Sequence, residues 1–169
     1  EAEVYFQQAE SLHAYVDKGE IGEYAVNTSG GLSLRGLYGG KMGTAYTEAL
    51  DEAAIPMLVG AVKESAALID DEDEQFIFAG SPAYASVDCT GDLGTPEERL
   101  AFALSLDRAG RSLDPRVTDL GLFTGIDSAR ETVRIENTHG LSLSHTADIV
   151  VGFVEPIARQ GERVTTALG

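Results

Sequence analysis

The stretch Leu32 to Thr47, LSLRGLYGGKMGTAYT, constrains the fold more than any other. Leu32, Leu34 and the Gly36–Leu37 step alternate with polar residues, the period-two pattern of a half-buried strand. Tyr38-Gly39-Gly40-Lys41 breaks that pattern with two residues free to take positive φ, which predicts a tight reversal. Met42 to Thr47 then reads as the returning strand, with Met42, Ala45 and Tyr46 as its larger or apolar members. A two-stranded hairpin is marginal in water on its own, so this one must be covered by further strands or a helix.

Both follow or precede it in the chain. Glu3 to Val16 reads as one long strand, with Val4, Phe6, Leu12, Ala14 and Val16 on one face and a bulge or bend expected at Gln8–Glu10. Asp17-Lys18-Gly19-Glu20 is a turn signal with Gly19 suited to a left-handed position. Ile21 to Thr28 reads as a second strand ending at Ser29-Gly30-Gly31. The first fifty residues thus predict a four-stranded antiparallel meander.

From Glu52 the periodicity changes to that of a helix. Leu58, Val62 and the Ala66–Ile69 region recur at three and four, predicting a helix over 52–69 with Asp51 at its start and Pro56 in its first turn. Gly60 weakens that helix by about 1 kcal/mol relative to alanine, and close packing on the sheet is the expected reason for it. Thr95-Pro96-Glu97-Glu98 is a capping box with proline at the first helical position. It predicts a second helix over 96–110, Leu100 and Leu104 facing the sheet and Gly110 closing it. Between the helices, Asp70 to Thr95 is the least regular part, although Phe76-Ile77-Phe78 is apolar enough for a small strand. Beyond the second helix, short strands are expected at Val117–Leu122, Thr132–Asn137, Leu141–Thr146 and Ile149–Pro156. Asn137-Thr138-His139-Gly140 turns the chain between two of them and echoes Asn27-Thr28-Ser29-Gly30. The fold class is α+β: a mixed, mostly antiparallel sheet with an amino-terminal meander, covered by two main helices. Residues 1–169 are expected to form a single amino-terminal domain of a longer two-domain protein.

Charge and motifs exclude more than they assign. Lys and Arg number 12 against 28 Asp and Glu, a formal net charge of −16. Such a chain is repelled by nucleic acid and anionic membranes, and its basic residues form no stripe interleaved with aromatics. Cys89 is the one cysteine, so no internal disulfide forms, and Asp88 and Asp92 beside it disfavour a thiolate. The run Asp70 to Glu74 lacks the alternating ligands, central glycine and twelfth-position glutamate of a calcium loop and reads as a solvated acidic loop. Gly39-Gly40-Lys41 is no phosphate loop, because Met42 stands where Ser or Thr is needed. No G-x-S-x-G elbow is present. Of the histidines, His13 reads as a strand residue, His139 as a turn residue and His145 as a strand residue. A metal site combining His139 and His145 with Asp127 or Asp148 is conceivable only if these side chains converge. No run approaches eighteen apolar residues and no basic-apolar leader opens the chain, so the cytoplasm is the expected location.

The order of landmarks also resembles a known family. Asp17-Lys18-Gly19-Glu20-Ile21, then Gly31-Leu32-Ser33-Leu34-Arg35 with Gly39-Gly40-Lys41-Met42-Gly43, then Thr44-Ala45-Tyr46-Thr47 before the helix, resemble the amino-terminal region of the TldD/PmbA family. Asp114-Pro115-Arg116-Val117 and Val133-Arg134-Ile135-Glu136-Asn137-Thr138-His139-Gly140 extend the likeness over nearly the whole chain. The family is also described as candidate modulators of DNA gyrase. The resemblance implies the first part of a subunit of a dimeric, zinc-dependent peptidase acting on unfolded or small peptides. It implies a homologous partner subunit and zinc ligands of an H-E-x-x-x-H type in a carboxy-terminal domain or in the partner. No such motif occurs here, so no catalytic, cofactor or metal residue is carried over. A PmbA-like branch is slightly favoured, and any link to gyrase is expected to be indirect. The alternatives are a stand-alone peptide- or protein-binding module with an exposed strand edge and a small metal-dependent hydrolase using His139 and His145.

Overall fold

The computed structural model describes residues 1–70, 73–80, 84–121 and 124–169. Among these, eight strands and two helices follow in the order β1 (Ala2–Asp17), β2 (Glu20–Tyr38), β3 (Lys41–Thr47), α1 (Ala54–Ala67), α2 (Pro96–Ser112), β4 (Val117–Leu120), β5 (Gly125–Asn137), β6 (Ser142–Phe153), β7 (Pro156–Gln160) and β8 (Arg163–Thr166). One sheet has the order β3-β2-β1-β5-β6 and a second the order β4-β7-β8. This is the α+β class expected, with antiparallel β2–β3, β4–β7 and β7–β8 pairs.

The amino-terminal meander has three strands rather than four. β2 runs without a break through Ser29-Gly30-Gly31, and none of these residues takes positive φ. The two glycines serve close approach instead. A Cβ on Gly30 would lie 3.2 Å from the Gln7 carbonyl oxygen, and one on Gly31 3.1 Å from that of Thr47. The echo with Asn137–Gly140 is therefore one of sequence only. β1 likewise continues through Gln8–Glu10. The true reversals are Lys18-Gly19, with φ of 51° and 85°, and Gly39-Gly40, with 59° and 79°. Positive φ at both central residues is the geometry that matches strand twist in a two-residue hairpin.

By its internal contacts the chain divides into two compact units: Glu1–Ala9, Ser29–Cys89 and Glu131–Ala147, and Glu10–Thr28, Thr90–Arg130 and Asp148–Gly169. In the first, the β2–β3 hairpin pairs from Tyr38↔Lys41 to Leu32↔Thr47 and sets Gly36 directly opposite Gly43. Helix α1 lies on this glycine pair. Ala54, Leu58, Val62 and Ala66, spaced four apart on one face, are its buried residues. A Cβ on Gly43 would overlap the Val62 carbonyl oxygen and come within 2.9 Å of the Ala66 nitrogen, while one on Gly36 would meet Val62 Cγ1 at 3.3 Å. Close packing thus depends on strand glycines and not on Gly60, around which the space is open. Asp51 lies ahead of the N-cap residue Ala53 and accepts the Ala54 N–H at 3.1 Å, satisfying one of the orphan donors of the first turn.

A buried carboxylate knits the same unit together. Glu3 accepts from Arg35 Nε at 2.7 Å and Nη2 at 2.6 Å, and from Asn137 Nδ2 at 3.3 Å. Asn137 Nδ2 also donates to the Phe78 carbonyl at 2.7 Å. Phe76–Phe78 is not a strand: Ile77 is buried and its two neighbours are exposed, so the segment packs by one side chain without a ladder.

The second unit has its core in Leu12, Ala14 and Val16 of β1, Ile126 of β5 and Ala103 of α2, with Ile21, Leu100 and Leu104 packed against it. The capping box at the start of α2 is complete. Thr95 Oγ1 accepts from Glu98 N at 3.2 Å, and Glu98 Oε2 accepts from Thr95 N at 2.7 Å. Gly110 does not close the helix, which runs on to Ser112. It is buried because a side chain there would meet Val154 Cγ1 at 2.6 Å and Leu120 Cδ2 at 3.1 Å. Asp107 is also buried and accepts from Arg111 Nε with both oxygens at 3.1 Å.

Toward the carboxyl terminus two expectations change. The strand expected over Val117–Leu122 is β4, ending at Leu120; Leu122 lies outside the described residues. The two strands expected over Leu141–Thr146 and Ile149–Pro156 are the single strand β6. Beyond them Arg163–Thr166, for which no strand was expected, forms β8, which pairs with β7 from Ile157↔Thr166 to Gln160↔Arg163. Gly169 and Val154 exchange backbone hydrogen bonds at 3.0 and 3.1 Å.

Candidate functional site

His139 occupies the β5–β6 turn as expected. The turn is set by Asn137, whose Oδ1 accepts from His139 N at 3.0 Å and Leu141 N at 3.2 Å, and by Gly140 at φ 88°. This leaves the His139 side chain exposed, with Nε2 3.1 Å from a Glu1 carboxylate oxygen. His145 is exposed on β6. It lines a cleft of about 460 Å³ between the segment Tyr84–Cys89 and residues of β5 and β6, with Tyr5 and Val133 also in the wall. Cys89 is exposed and makes a parallel bridge to Ala147. Of the acidic run, Asp71 and Glu72 lie outside the described residues.

The two aspartates named as possible third ligands are engaged elsewhere. Asp148 forms a paired hydrogen bond with Arg130, from Nε and Nη2, each at 2.7 Å, and accepts from Gly91 N at 2.8 Å. Arg130, then the Gly91 N–H, hold its carboxyl down at about 2. Asp127 accepts from the Tyr15 hydroxyl, 3.1 and 3.2 Å from its two oxygens. Burial first, and this hydrogen bond second, raise the Tyr15 phenol above its ordinary value. His13 stacks on Tyr15 with ring centres 5.5 Å apart. Its Nε2 lies 3.3 Å from a Glu23 oxygen, without hydrogen-bonding geometry.

The metal site that His139 and His145 were expected to share with Asp127 or Asp148 is separate from the zinc that the family resemblance places in a carboxy-terminal domain or in the partner. Among the described residues no three His, Cys, Asp or Glu side chains group so as to hold a metal ion. Asp127, bonded to Tyr15, and Asp148, bonded to Arg130 and Gly91, are both committed to partners other than His139 and His145.

The clamp of Arg130 and Asp148 on Gly91 escaped the sequence reading, because eighteen residues separate the charged pair and no local pattern joins them. It fastens the residues that precede α2 and borders a cleft of about 340 Å³ that Arg99 and Glu10 also line. Since Asp148 titrates lower in the folded chain than unfolded, the clamp's contribution is complete above a pH of about 4 and is lost as pH falls through about 2. A carboxyl carbon NMR titration should give Asp148 a midpoint near 2, and Asp148→Asn should speed exchange of the Gly91 amide. A midpoint at the ordinary 3.8 would contradict the clamp.

Strand β6 ends the five-stranded sheet, and Ile149, Val150 and Val151 along it are 47%, 50% and 40% exposed. Natural edge strands are usually shielded by lysine, proline or a covering segment. Residues 148–153 hold neither lysine nor proline. Among the described residues no helix is long and apolar enough to cross a membrane.

Two family models match in chain order: PmbA/TldA metallopeptidase domain 1 over residues 2–66, and the PmbA/TldA metallopeptidase central domain over residues 95–169. No curated protein matches. Similar solved structures include a candidate modulator of DNA gyrase from Thermotoga maritima MSB8, with a TM-score of 0.76 and 18% identity, over 99% of this chain and 38% of that one. TldE from Thermococcus kodakarensis has a TM-score of 0.78 and 16% identity, over 99% of this chain and 39% of that one. A candidate modulator of DNA gyrase from Bacteroides thetaiotaomicron VPI-5482 gives the same figures, 0.78 and 16%, over 99% and 39%. At these identities the likeness shows the fold, and the chain spans about two fifths of the length of each structure.

Proposed function

Because the chain belongs to the TldD/PmbA metallopeptidase family through its first and central domains, we propose that it is the non-catalytic amino-terminal part of a peptidase subunit. In this reading residues 1–169 shape the cavity through which a peptide reaches the active site and contact a homologous partner subunit. Zinc is held by a carboxy-terminal domain or by the partner. When bound there, the ion supplies the activated water of peptide hydrolysis. No step of that hydrolysis is assigned to this chain. The assembly works in the cytoplasm on unfolded or small peptides and makes no direct contact with nucleic acid, in keeping with the net charge of −16.

The observation that carries the reading is the ordered match to two domains of one metallopeptidase family. The engagement of Asp148 by Arg130 and Gly91, and of Asp127 by Tyr15, adds to it: both carboxylates serve the fold. Size exclusion of the full-length protein, alone and with its partner subunit, joined to a peptide-cleavage assay, tests the proposal. The expected result is a dimer whose cleavage is abolished by a zinc chelator. A monomer that cleaves peptide equally well after exhaustive metal removal would overturn it.

The exposed β6 edge favours a second reading, a peptide- or protein-binding module that accepts an extended segment as an added strand. Its signature would be slowed amide exchange over residues 149–153 on adding an unstructured peptide, without turnover by the full-length protein.

A further inference from the structure

We draw no further inference here: the strongest candidate, the apolar groove of about 540 Å³ between the start of α1 and the Val4, Phe6, Leu32 and Leu34 side chains of β1 and β2, is an unpartnered face, and nothing in the structure shows what covers it.

Discussion

Replacing Gly43 with alanine should lower the stability of the protein by about 3 kcal/mol or more, a fall in Tm of roughly 6–12 °C for a chain of this size. The cause is backbone against backbone. The added Cβ overlaps the Val62 carbonyl oxygen and lies 2.8 Å from the carbon that bears it, so no side-chain rotation relieves the clash. Either α1 lifts off the β2–β3 hairpin or the hairpin bends. Lifting the helix would expose Leu58, Val62 and Ala66, which are at most 6% exposed in the native chain. Gly60→Ala, on the same helix, should act in the opposite sense and stabilise by up to about 1 kcal/mol, because nothing lies within 4 Å of its Cβ position. Thermal unfolding of the two variants beside the parent measures both signs. Equal effects at the two positions would contradict the packing of α1 on the Gly36–Gly43 pair.

Gly125→Ala should cost about 2–3 kcal/mol by the same mechanism in the other unit. Its Cβ overlaps the Ala14 carbonyl oxygen and comes within 2.8 Å of Tyr15 Cα and Cδ1. The site is hemmed in on both sides. Thr124 is fully buried, takes the Val16 N–H on its carbonyl at 2.8 Å and accepts the Glu155 N–H on its hydroxyl at 3.2 Å. Ile126, 1% exposed, completes the core with Leu12, Ala14 and Val16. Displacing Tyr15 should also loosen its hydrogen bond to Asp127, so the raised phenol ionisation should move back toward its ordinary value of 10. Chemical denaturation reads the first effect and ultraviolet titration of the tyrosinate the second. Unchanged stability together with an unchanged Tyr15 titration would contradict the close approach of these strands.

Glycine shows most clearly what could be read in advance. Where it turns the chain, the neighbours announce it: Lys18-Gly19, Gly39-Gly40 and His139-Gly140 all reverse the chain as their sequences suggest. Where it admits a neighbouring strand or helix, the cause lies far away in the chain. Gly30 and Gly31 look like a strand end yet lie inside β2, because the backbones of β1 and β3 press on them. Gly110 looks like a helix end yet lies inside α2, because Val154 and Leu120 meet it there. The capping box of α2 was legible because all its partners fall within four residues. β8 was not, since Arg163–Thr166 is exposed at every position and only its ladder with β7 makes it a strand. The same distinction governs the candidate site. His139 is placed by its own turn and was foreseen there, whereas the partners of Asp148 and Asp127 come from distant segments and had no local signature.

The central claim is that the chemistry of the subunit is carried outside residues 1–169. The most direct test compares zinc content and peptide cleavage in the full-length protein, assembled with its partner subunit, before and after the double substitution His139→Gln and His145→Gln. The account predicts one unchanged zinc stoichiometry and unchanged cleavage. Loss of a bound zinc together with loss of cleavage in the double variant would contradict it.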